Sequence, residues 1–395
     1  MKVYYDESYT ASSHSFDTTR KSANVAEFVR GMAGVEIVAP TPATQREIAL
    51  VHDPKYVRAV RTGKGSRKDS AGFGWDPGLW TGVSASTGGA VDAALAALHD
   101  GAAGSLSSGL HHADRKRGTG FCTFNGLALA AKIALGGRPL LDTFRRRRTR
   151  ACRRVLILDL DAHCGGGTYD IIKDDPRIWQ IDVSVSGFDA YNASSERHHL
   201  HIIQRSADYL DIIELELERA AELGFDLVIY NAGMDPHEDC GIGGLKGISS
   251  DVIRRREEMV FGWAREQDVP IAFVLAGGYT GFGMWEKRLS ALHGMTVAAA
   301  AGTQMPDIGA IEADPPEIVV EERSSWTRYR DEEVEEGPLD MDEEVMRELA
   351  QDLGLYGEPW EEEERVEYKS IHELPQEFFD PDNEELRAQY PEFFD

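Results

Sequence analysis

Apolar residues fall along this chain in two patterns that take turns: short unbroken runs, and longer segments in which they recur every three or four positions. The run Val155-Leu156-Ile157-Leu158 continues to the cluster Gly165-Gly166-Gly167, and Phe225–Tyr230 and Pro270–Leu275 read the same way. Runs of leucine and β-branched residues without polar interruption are expected of strands covered on both faces, as in a parallel sheet. Ile178–Val185 and Gly104–Leu110 are further strand candidates. Val3-Tyr4-Tyr5 and Val35–Val38 suggest two more, separated by a helix through Ser22–Arg30. Helices are expected over Ala207–Leu223, Ser249–Glu266 and Trp285–Ala301, and the small-residue segment Ser84–Leu98 suits a buried helix. Strand and helix alternate from residue 100 to residue 300, which predicts an α/β fold: a single open, mostly parallel sheet with helices on both faces.

Charge changes this picture at one end only. The net charge of −26 is concentrated in residues 303–395, where 31 acidic residues face 7 basic ones, so residues 1–302 are close to neutral. A folded domain over 1–302 and an acidic C-terminal extension over 303–395 are expected. The extension carries ten aromatics, Trp360 and Phe378-Phe379 among them, more than a freely solvated segment holds, so part of it is expected to dock. Asp342–Leu353 has the spacing of a short amphipathic helix. The basic run Arg145–Arg154 reads as a solvated loop, which argues against nucleic acid as a partner. No apolar stretch is long enough for a signal peptide or a membrane span, and Cys122, Cys152, Cys164 and Cys240 form no C-x-x-C pair. A cytoplasmic protein with reduced thiols is expected, nuclear only in a eukaryotic source.

The chemistry gathers at the ends of the apolar runs. Strand side chains alternate, so Asp159, Asp161 and His163 begin on one side of the chain while Leu158 and Leu160 face the other. Two carboxylates and an imidazole at the carboxyl end of a buried strand suggest a metal site; the plainer reading is that the carboxylates cap the following helix. Three other strand ends also carry reactive groups: His111-His112, Asp235 and Tyr279. Loops at the carboxyl ends of parallel strands converge, so four such ends together favour a hydrolytic metal site. Asp161, His163 and Asp235 would leave a coordination position open for water, as in catalytic zinc, though iron or another divalent ion would also suit them. His111 and His112 are then candidates for general base and acid, and Tyr279 for a hydrogen bond to a developing oxyanion.

These blocks, Gly109-Leu110-His111-His112-Ala113, Gly120-Phe121-Cys122, Asp159-x-Asp161-x-His163-x-Gly165-x-Gly167-Thr168, Ala232-Gly233-Met234-Asp235 and Gly277-Gly278-Tyr279, resemble the histone deacetylase family of zinc amidohydrolases over about residues 1–300. The resemblance implies an arginase/deacetylase-like catalytic domain with one Zn2+ held by Asp161, His163 and Asp235, His111 and His112 as tandem acid/base pair, and Tyr279 polarising the carbonyl. It further implies that Asp159 orients His111, that Phe121 with Phe188 or Tyr191 walls an acyl-lysine channel, that Asp76 and Gly277 contact substrate, and that a monovalent cation, K+, lies near Asp159, Asp161 and Ser184. The implied reaction is removal of an acetyl or other acyl group from an N-acylated amine such as acetyl-lysine. Acetylpolyamines and small N-acyl amines are alternatives, as is a catalytically silent acyl-lysine-binding module. The chain departs from the family at Gly166, where many relatives have an Asp or Asn beside the second histidine, at Cys164, and in the loop Phe188–Ser195, which leaves a histone substrate unsupported. A two-metal ureohydrolase would need carboxylates at the positions of Gly165 and His237.

Overall fold

The strands are β1 (Lys2–Tyr4), β2 (Glu36–Val38), β3 (Ala102–Ser105), β4 (Val155–Asp159), β5 (Ile178–Ser184), β6 (His198–Ile202), β7 (Leu227–Ala232) and β8 (Ile271–Leu275). The structure, a computed structural model, describes residues 1–12, 17–65, 74–136, 152–193, 195–281 and 283–313. Within it the strands form one open sheet in the order β2-β1-β3-β8-β7-β4-β5-β6, and every pairing is parallel.

Alternate residues of each central strand feed two separate cores. Val155 and Ile157 of β4 pack with α4 (Leu79–Asp100) and α5 (Gly126–Gly136), both rich in alanine, while Leu156 and Leu158 join α1 (Asp17–Val29), α7 (Ala207–Leu223), α8 (Ser250–Glu266) and α9 (Glu286–Ala301). All five residues of β4 are buried, and each such leucine or isoleucine contributes roughly 1.5–3 kcal/mol by leaving water. Coverage on both faces explains why the run could be uninterruptedly apolar. Short helices α2 (Gln45–Ile48), α3 (Pro54–Thr62) and α6 (Gly166–Ile172) fill the connections, and α10 (Ile308–Glu312) follows α9.

Most elements lie where the sequence placed them, but β6 was not foreseen. His198-His199-Leu200-His201-Ile202 lacks an apolar face because it is the edge strand, paired on one side only with β5. Beyond residue 302, Ile308 is buried, and Glu312 accepts from Arg288 Nη2 at 2.6 Å and Ser250 Oγ at 2.9 Å. The arginine run 145–150 lies outside the described residues, as do the docking segments and amphipathic helix expected in the acidic extension. Among the described residues, no helix is long and apolar enough to cross a membrane, and the four cysteines are free thiols.

Sheet order settles where chemistry can gather. His111-His112 follow β3, Tyr279 follows β8, Asp235 follows β7 and Asp161 with His163 follow β4, so the four reactive strand ends of the sequence belong to four adjacent strands.

Candidate metal centre

Three side chains converge just beyond the ends of β4 and β7. His163 Nδ1 stands 3.2 Å from Asp161 Oδ1 and 3.2 Å from Asp235 Oδ2. Each carboxylate is aimed by backbone donors: Gly277 N–H gives to Asp161 Oδ2 at 2.6 Å, His163 N–H to Asp161 Oδ1 at 2.9 Å, and Ala162 N–H to Asp235 Oδ1 at 3.0 Å. Apart from the His163 ring nitrogen 3.2 Å away, buried Asp235 Oδ2 has no hydrogen-bond partner among the described residues, an arrangement that a cation facing it would relieve. Two donors bound to one tetrahedral ion at about 2.0–2.1 Å lie roughly 3.3 Å apart, close to the spacing observed here. The three residues therefore fit a divalent cation. Burial and the Asp161 charge push Asp235 up to about 6, while His163 is pushed up to about 11 because its bonds to Asp161 and Asp235 outweigh its desolvation.

A second cluster of donors, His199 and His201 on β6 with Glu216 on α7, has a different character. His199 Nδ1 lies 2.6 Å from Glu216 Oε2 and His201 Nε2 lies 2.8 Å from Oε1, both hydrogen-bond lengths, and Arg219 Nη1 gives to Oε1 at 2.6 Å. The carboxylate is already paired with a guanidinium, so this is a hydrogen-bonded tie between strand and helix.

Two histidines from the loop after β3 complete the polar face, 4.0 Å apart between ring centres. His111 Nδ1 meets Asp159 Oδ2 at 2.8 Å, and Asp159 Oδ1 is fixed by Asn231 Nδ2 at 2.8 Å from the paired position on β7. His112 Nδ1 meets Asp189 Oδ2 at 2.9 Å. A carboxylate accepts only, so each Nδ1 carries its proton and each Nε2 is left for the site. Burial lowers His111, but the charges of Asp159 and Asp161 outweigh it and push the group up to about 10. Burial and then the charge of His111 push His112 down to about 4. One ring is thus driven toward the cation and its neighbour toward the neutral base.

The remaining predicted residues divide. The exposed Phe188 ring stands edge-on to His112 at 5.0 Å and to His163 at 6.0 Å between centres, so it walls the site. Phe121 adopts a left-handed backbone, φ +64, in a turn closed by Thr119 and Cys122, next to Gly120, whose Cα faces His112. Tyr279 is almost fully buried, and burial together with the Asp235 and Asp161 charges holds its hydroxyl protonated. Tyr191 is not brought to the histidines: its ring stacks on Tyr169 at 4.4 Å. Asp76 sits at the start of α4, its carboxylate accepting from Gly78 N–H at 2.7 Å and from the Ser12 hydroxyl. Gly277 lies behind Asp161 and Asp235, where a Cβ would come 1.9 Å from Asp235 Oδ2. Ser184 gives its hydroxyl to Asp182 Oδ1 at 2.5 Å, and Asp182 in turn accepts Gly165 N–H at 2.6 Å. His237 spends both ring nitrogens on Ser250 Oγ and Asp239 N–H, at 3.0 and 3.1 Å. The sequence reading missed Asp182, Asp189 and Asn231; only Asn231, at the end of an apolar run, carried a local signal.

Comparison with known proteins adds a family. Residues 14–294 match the family described as Histone deacetylase domain. Histone deacetylase 2 of Arabidopsis thaliana is 30% identical over 302 residues, which cover 71% of this chain and 74% of that protein. Among solved structures, the acetylpolyamine aminohydrolase from Burkholderia pseudomallei superposes with a TM-score of 0.58 at 20% identity, over 76% of this chain and 98% of its own. The HD domain of HDA15 does so with a TM-score of 0.61 at 19% identity, over 79% and 91%. At these identities the two structural likenesses concern the arginase/deacetylase fold.

Proposed function

The chain belongs to the histone deacetylase family, and from that premise we propose that it is a zinc-dependent amidohydrolase that removes an acetyl group from an N-acylated amine. The observation that carries the reading is the trio Asp161, His163 and Asp235, spaced for one ion, with a buried Asp235 oxygen that faces only the His163 ring nitrogen among the described residues, beside an exposed aromatic wall. Asp161, His163 and Asp235 would hold the zinc, which would supply Lewis acidity toward the amide carbonyl and lower the pKa of a water. His112, neutral and with Nε2 facing the site, takes the proton from the attacking water and passes it to the leaving amine. His111, charged through Asp159, stabilises the negative charge that develops beside it. Tyr279 donates its hydroxyl proton as a hydrogen bond to the carbonyl oxygen, a contribution of roughly 3–4 kcal/mol for donors of this kind. Phe188 excludes water along one side and gives an aliphatic acyl-amine stem an apolar surface.

An acyl-lysine side chain and an acetylated polyamine share that stem, and the Arabidopsis relative is named for the first kind of activity while the Burkholderia structure is named for the second. The test is metal analysis combined with acetate release from a panel of acetyl-lysine peptides and acetylpolyamines. One zinc per chain and turnover of at least one class are expected; two metals per chain, or no turnover with zinc bound, would overturn the reading.

A further inference from the structure

Gly166 reads in the sequence as a missing carboxylate, yet His112 has one. We infer that Asp189, delivered from the loop after β5, is the positioning residue of His112, and that Gly166 is glycine because Asp189 occupies the space its side chain would need. The inference rests on the proposed hydrolase reading for its kinetic part only.

Four observations carry it. His112 Nδ1 lies 2.9 Å from Asp189 Oδ2, across 77 residues of sequence, with the imidazole almost fully buried. A Cβ on Gly166 would stand 2.4 Å from the Asp189 carbonyl oxygen and 2.5 Å from its Oδ1, so a side chain at 166 and the present course of the loop exclude one another. The loop is fastened at two further points: Cys164 N–H gives to the Phe188 carbonyl at 3.0 Å, and Gly167 N–H to Asp189 Oδ2 at 3.2 Å. Asp189 itself holds a left-handed backbone, φ +59, which an aspartate adopts only at some expense and which turns its carboxylate inward.

A single carboxylate oxygen therefore ties the histidine to Gly167 at the start of α6. The fixed tautomer, with Nδ1–H on Asp189 and Nε2 open, follows from that oxygen alone. Phe188 precedes Asp189 directly, so the residue that walls the site and the residue that orients its base move as one piece of backbone.

Three variants test this: Asp189→Ala, Asp189→Asn and Gly166→Ala, each with melting temperature, zinc content, kcat and KM, and the hydrogen-bonded Nδ1 proton resonance of His112 by NMR. Asp189→Ala is expected to lower kcat roughly 10–100-fold, the range for loss of a supporting partner, with KM and zinc content within about threefold of the parent. Asp189→Asn keeps an acceptor in place and is expected to retain most of kcat. Gly166→Ala adds one methyl and is expected to reproduce the Asp189→Ala loss. The Nδ1 proton resonance should be present in the parent and the Asn variant and absent from the other two, whether or not a substrate has been found. A parent without turnover would count against the hydrolase reading while the NMR still decides Asp189. An Asp189→Ala protein that keeps the resonance, or keeps kcat within threefold, overturns the inference, as does a Gly166→Ala protein indistinguishable from the parent.

Discussion

At the scale of single residues, the proposed mechanism gives Tyr279 and the metal-holding trio different tasks, and two substitutions separate them. Tyr279→Phe removes one buried hydroxyl and little packing, so the protein should fold and bind zinc normally while kcat falls by roughly 10²–10³. Normal melting with kcat within threefold of the parent would take Tyr279 out of the mechanism. Gly277→Ala should act on the metal instead. Its Cβ would fall 1.9 Å from Asp235 Oδ2 and 2.7 Å from Asp161 Oδ2, so both ligands must move and zinc content should drop; full zinc content would contradict the geometry. That Asp161, His163, Asp235 and Tyr279 gather at adjacent strand ends could be read from the sequence because each follows an apolar run, which fixes the direction of the chain at that point. Asp189 could not. Its partner is 77 residues away, and the local signal at Gly166 pointed to a loss where the structure has a replacement.

At the scale of elements, periodicity served best where one face of a helix meets the sheet: α7 spans Ala207–Leu223 as its spacing indicated, and α8 begins after Ser249, whose side chain accepts from Val252 N–H. It failed where polar residues are buried. Arg256, third in a row of arginines, is fully buried and bonded to Glu257, the Tyr209 hydroxyl and the Leu160 carbonyl between Asp159 and Asp161, a role no pattern of hydrophobicity reveals. The edge strand β6 is held by a polar tie of the same kind. Burial works against the Glu216 carboxylate, but the bonds from His199 and His201 hold it well below the usual range; the bond to Glu216 raises His199. The carboxylate's contribution is present above ~4.3 and fades as pH falls toward its lowered folded value. The His199 contribution is complete below ~6.5 and fades as pH rises through its raised one. Glu216→Gln should therefore lower the melting temperature most between about pH 5 and 6 and less at pH 9. A difference that does not vary with pH would show that the tie is not ionic.

At the scale of the whole molecule, charge and topology divide the chain differently. The excess of acid lies in residues 303–395, whereas the sheet is completed by strands from both ends of the folded unit. In the order β2-β1-β3-β8-β7-β4-β5-β6, the first three strands of the chain meet the other four only through β8, the last strand in sequence. Ala102–Ser105 pairs with Ile271–Val274, and Val228–Ala232 pairs with Ile271–Leu275 on the other side. Synthesis runs from the amino end, so until residue 275 has left the ribosome the two halves of the sheet have no shared partner, and each carries an open edge of unpaired amides. Ribosome-bound chains stalled with residue 270 just emerged should be cut rapidly by protease, and those stalled beyond residue 301 should resist; equal resistance would mean that the halves close without the bridge. Gly277 and Tyr279 follow that bridging strand within four residues, so the backbone donor to Asp161 Oδ2 and the Tyr279 hydroxyl arrive in the same step that closes the sheet. A nascent chain of this protein would lack part of the proposed site until β8 and the residues up to Tyr279 have emerged.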